Sequence, residues 1–210
     1  MQTKKYLNIK YEKEYLEIAE QIKNRPVANI EMHTIGFFLL TVINRAMVTS
    51  MGIETLLRVE NYECALPLLR VLMDCGIQIK TATMVDNKDE YYSSFGDAKT
   101  KRGKRPLGEG AVVKSLDEDK WATKAYDLYK FLCKFVHLSR YHAKLLLSSD
   151  LSRPVPVGRL ALKEDKKFAA EIEQCYDEVS MLLIGIFEYY IEKLWDIESH
   201  IQKKPSDVNI

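Results

Sequence analysis

An all-α fold, a single helical bundle of four or five long helices, is what this sequence predicts, and three observations predict it. Apolar residues recur at three- and four-residue spacings in each long segment, the period that lines them up on one face of a helix. Strand alternation of useful length is missing, a short ribbon around Val155 to Leu160 being the one exception. Apart from one long loop, the interruptions are short and carry Pro, Gly or Asn, the residues that end helices. With 47% hydrophobic and 29% charged residues over 210 positions, the chain has the apolar content for one core. The expected organisation is one helical domain over residues 1–202, broken by a long basic, Gly-rich loop at about 86–116 and followed by a tail over 203–210.

Each element follows from its spacing. Tyr11, Tyr15, Ile18 and Ile22 share a face of a first helix that stops near Asn24-Arg25-Pro26. A second begins near Asn29 and is apolar on most faces through Phe37, Phe38, Leu39, Val42, Ile43 and Met47, the pattern of a central helix. Gly52 either ends it or lets another helix pack closely, and Asn61 caps the next one. That third helix, roughly Tyr62 to Met84, carries Leu66, Leu69, Leu72, Met73 and Ile77. Pro67 within it is tolerated in a first turn, which would move the start to near Cys64. From Val85 to about Leu116 the period vanishes while Gly96, Gly103, Gly108 and Gly110 accumulate. Helical spacing returns from Asp119 to about Ser148, Leu151 to Leu162 is an extended connector, and a last helix runs from Asp165 to about Ile201 with apolar residues repeating at Phe168, Ile172, Cys175, Val179, Leu182 and Ile186, then Tyr190, Leu194 and Ile197.

Charge and motifs exclude several functions. With 31 basic and 30 acidic residues the formal charge is +1, so polyanions are attracted only by local patches. The chain contains no GxxxxGK[ST], no GxGxxG after a strand, no HExxH and no GxSxG, which disfavours P-loop hydrolysis and zincin-type proteolysis. Cys64, Cys75, Cys133 and Cys175 are widely spaced and form no CxxC, a pattern of reduced thiols. No secretory signal is visible, and the most apolar run, Ile35 to Asn44, falls short of the roughly 20 residues of a spanning helix. A cytoplasmic protein without a membrane segment is expected.

Three features carry candidate chemistry. On the third helix Glu63, Arg70, Asp74, Gln78 and Thr81 form a narrow polar line, and Arg70 and Asp74, four apart, can pair. This is either a solvated edge or a polar site inside the bundle. Around Cys133 to His142, a stripe of Lys130, Lys134, His137, Tyr141 and Lys144 is rich in donors, with Arg140 and His142 on neighbouring faces. It reads as an exposed helix face or as a phosphate site. Cys133 and His137 have chelating spacing, but two ligands make no metal site, and neither a metal nor a cofactor is expected. In the loop, Lys99, Lys101, Arg102, Lys104 and Arg105 form a basic run that suits a plain solvated loop or contact with a nucleic acid backbone. Nearby, Tyr91, Tyr92 and Phe95 either pack beneath the loop or stack on bases.

The segments LPLLRVLMDCGIQIKTA, from Leu66 to Ala82, and YKFLCKFVHLSRYHA, from Tyr129 to Ala143, resemble an uncharacterised bacterial all-helical family loosely related to HEPN-like domains. In that family a helix reading L-L-R-x-L-x-[DE] precedes one ending F-V-H. The resemblance implies a bundle in which Arg70, Asp74 and His137 approach one another, and a link to prokaryotic defence. HEPN ribonucleases cleave RNA without metal through an arginine followed four to six residues later by a histidine. No arginine stands at that distance before His137 or His142 in this chain. Two functions are therefore carried forward. One is a helical interaction module that forms a homo-oligomer or docks a protein partner. The other is a nucleic-acid-binding protein or diverged metal-independent ribonuclease using His137 with Arg70 or Arg140. Whether the chain is an enzyme stays open.

Overall fold

The computed structural model describes residues 9–25, 30–85, 88–93, 108–116, 124–136 and 166–201. Among them the fold is all-α, with seven helices and no strand. They are α1 (Glu12–Lys23), α2 (Ile30–Arg58), α3 (Tyr62–Met84), α4 (Lys88–Ser93), α5 (Glu109–Leu116), α6 (Ala125–Val136) and α7 (Lys166–Ile201).

The centre of the bundle is α3, which packs along α2 on one side and α7 on the other and also receives α4, α5 and α6. Its apolar residues are buried around nearly the whole circumference, from Leu66, Leu69 and Leu72 to Cys75, Ile77 and Ile79. The approach to α7 is close because residue 76 is glycine: a Cβ there would lie 2.8 Å from Ile186 Cδ1 and 3.2 Å from Leu183 Cδ1. In α7, 36 residues long, Ile172, Cys175, Val179, Ile186, Tyr190 and Leu194 of the expected stripe are buried, while Leu182 is half-buried against the core. In α1 the same holds for Tyr15, Ile18 and Ile22.

Gly52 does not end α2. The helix runs through it, and Leu68 Cδ1 of α3 approaches to 3.3 Å of where a Cβ would stand. The real stop is at Glu60, whose φ of 56° is left-handed. There the Asn61 N–H donates to the Leu56 carbonyl and the Glu60 N–H to the Leu57 carbonyl, closing the last turn as a Schellman motif. Asn61 then opens α3, its side chain accepting from the Cys64 N–H at 3.3 Å. The third helix therefore starts at Tyr62 and holds Pro67 in its second turn, not its first. The lost backbone bond exposes only the carbonyl of Glu63, a solvent-facing residue that water can serve.

Three expectations need correction. The loop at 86–116 is interrupted by α4 and α5, whose Val112, Val113 and Leu116 are buried; glycines at 108 and 110 hid this short amphipathic turn. Within the helix expected from Asp119, α6 begins at Ala125, after Lys124 with φ 84°, a conformation outside the right-handed helix; residues 117–123 lie outside the described residues. The apolar limit placed on α2 was too short as well. By length and composition alone Thr34–Arg58 is long and apolar enough to cross a membrane. Its packing against α1, α3, α4 and α7 is that of a core helix. The segments 94–107 and 137–165 and the tail 203–210 lie outside the described residues.

Candidate functional site

The polar line of α3 passes through the interior. Glu63 at one end is exposed, but Arg70 is only 6% exposed and Thr81 8%, and the Thr81 hydroxyl donates to the Ile77 carbonyl of its own helix at 2.7 Å. A buried guanidinium must be paired, and three helices supply its partners. One turn along α3, Asp74 forms an ion pair with Arg70 Nη1. From α5, Glu109 Oε2 accepts from Arg70 Nη2 at 2.8 Å. From α6, the ring of Tyr129 lies under the guanidinium, 4.5 Å from its centroid, and the Tyr129 hydroxyl donates to Glu109 Oε2 at 3.4 Å. Tyr126 stacks parallel to Tyr129 with ring centroids 6.5 Å apart.

One cation thus faces two carboxylates. The side chains of Asp74 and Glu109 remain 32% and 37% exposed, so only the carboxylate edge meets solvent while the arginine is covered. Burial holds the Tyr129 hydroxyl above its ordinary range, with Arg70 opposing that shift and Cys133 adding to it; the phenol is therefore a donor at neutral pH. An arrangement of this kind clamps α5 and α6 onto α3. It offers a phosphate no free guanidinium, because an incoming anion would have to displace a carboxylate.

Of the sequence candidates, Arg70 and Asp74 are brought together. His137, Arg140 and His142 lie outside the described residues, as do Lys99, Lys101, Arg102, Lys104 and Arg105. Within the donor stripe, Lys130 and Lys134 are exposed; Lys130 sits over the Tyr126 ring at 4.3 Å and Lys134 over Phe131 at 5.8 Å. Tyr91 and Tyr92 are 2% and 1% exposed and pack on Phe38 at 5.7 and 5.3 Å, so they are core residues and present no face to a base. Phe95 lies outside the described residues. Burial pushes the Cys75 and Cys175 thiols up to about 12, which keeps them as inert thiols. Among the described residues no group of three His, Cys, Asp or Glu is placed to hold a metal ion.

Glu109 and Tyr129 were missed by sequence reasoning. Glu109 stands 39 residues from Arg70 between two glycines, and nothing local marks it as a partner. Tyr129 reads as one more aromatic of an apolar stripe. A second polar cluster was missed for the same reason. Lys10 Nζ donates to both carboxylate oxygens of Asp177 at 2.6 and 2.8 Å, and the Tyr11 hydroxyl donates to Asp177 Oδ1 at 2.8 Å. Tyr176 donates to Glu54 Oε1 at 2.8 Å, and Arg58 approaches the other oxygen of Glu54 at 3.4 Å. Lys10, Glu54, Arg58, Tyr176 and Asp177 line a surface cleft of about 240 Å³ between the residue leading into α1, the end of α2 and α7. Compared with known proteins, the chain matches no family model, no curated protein and no solved structure.

Proposed function

We propose that this chain is a helical interaction module that pairs with a second copy of itself through the outer face of α2. The observation that carries this reading is the chemistry of that face. Between Glu31 and Glu54 the only Asp, Glu, Lys or Arg is Arg45, and the exposed stripe of Phe37, Thr41, Asn44, Val48 and Thr55 on α2, with Val59 just past its end, holds no charge, exposed Arg45 and Arg58 standing at its edges. Phe37 and Val48 are each 58% exposed and Val59 61%. The two threonines turn their hydroxyls back to their own helix, Thr41 to the Phe37 carbonyl at 2.8 Å and Thr55 to the Met51 carbonyl at 2.7 Å, which leaves methyl groups outward. An uncharged stripe of this length on an exposed helix face is unusual for a surface that meets only water.

The stripe is also symmetric about Val48. Laid antiparallel on itself, as a two-fold contact requires, it sets Val48 against Val48, Thr41 against Thr55 and Phe37 against Val59. Its length is about 33 Å at 1.5 Å per residue and its width about 10 Å, a footprint well under the roughly 800 Å² per partner of a standard interface. The dimer is therefore weak and concentration-dependent. The nucleic-acid reading draws no support from Arg70, whose guanidinium is shared by two carboxylates.

Sedimentation equilibrium over a wide range of loading concentrations tests the proposal. The mass should climb from 24.3 kDa towards twice that value, and Val48→Glu, which places two carboxylates on the axis, should hold it at the monomer with an unchanged circular dichroism spectrum. A wild type that stays at the monomer mass at every concentration, or a dimer that survives Val48→Glu, refutes it.

A further inference from the structure

We draw no further inference here: the strongest candidate, the surface cleft of about 240 Å³ between the residue leading into α1, the end of α2 and α7, has Lys10 paired with Asp177 and both Arg58 and Tyr176 turned to Glu54, and nothing in the structure points to a ligand that would enter it.

Discussion

Replacing Arg70 by methionine is the most direct perturbation of the charged clasp, because methionine keeps the apolar stem and removes the guanidinium. At a boundary site of this kind two unit charges in contact interact by roughly 4 kcal/mol at an effective dielectric of about 20. Both carboxylates are about one-third exposed, so desolvation and screening cut each pair to roughly 1–2 kcal/mol. The Tyr129 face adds about 1 kcal/mol. Arg70→Met should therefore cost about 3–5 kcal/mol, a large part of a total stability of roughly 5–15 kcal/mol. Asp74→Asn or Glu109→Gln alone should cost only about 1–2 kcal/mol, because the arginine keeps its other partner. The double variant strands the guanidinium, which is 6% exposed, and should exceed the sum of the two singles by about 1 kcal/mol. Urea denaturation followed by circular dichroism at neutral pH gives each value from the midpoint and slope. An Arg70→Met protein within about 0.5 kcal/mol of wild type, or a double variant no worse than the summed singles, would refute the shared clasp.

Two further outcomes follow from burial. Burial raises Tyr15 from 10.0 to about 12 and Cys75 and Cys175 from 9.0 to about 12; Tyr11 and Tyr176 move the same way, through burial and then through Asp177 and Glu54. The unfolded chain releases these protons first, so their stabilisation is complete below pH 9 and is lost as pH rises from 9 towards 12. Urea midpoints should be level to about pH 8.5 and fall above it, more gently in Cys75→Ala; a midpoint that rises across that alkaline range contradicts the burial. Gly76→Ala should lower the thermal midpoint, because its Cβ would press on Ile186 and Leu183 at 2.8 and 3.2 Å, and overpacking of about 1–3 kcal/mol outweighs a helix-propensity gain of about 1. Gly52→Ala, meeting one leucine tip at 3.3 Å, should melt within a few degrees of wild type, and equal losses at both positions would count against the close α3–α7 approach.

The helices themselves were legible in the sequence. The periodic spacing of Tyr15, Ile18 and Ile22, of Leu66 to Ile77, and of Ile172 to Leu194 identified three faces that are buried, since a helix must bury the stripe its period creates. Asn61 announced its own cap. The end of α2 was hidden, because Glu60 takes a left-handed conformation usually left to glycine, while Gly52, the visible breaker, serves close packing instead. The start of α6 was hidden by Lys124 for the same reason. Arg70 and Asp74 were visible as a pair because four residues on a helix is a fixed distance, whereas the identity of the third and fourth members depends on where α5 and α6 land. Tertiary packing alone decided that Glu109, 39 residues away, closes the ion cluster and that Tyr129 lies beneath it. Local spacing fixes which side of a helix a residue faces, and only the packing of helices against one another fixes what it meets there.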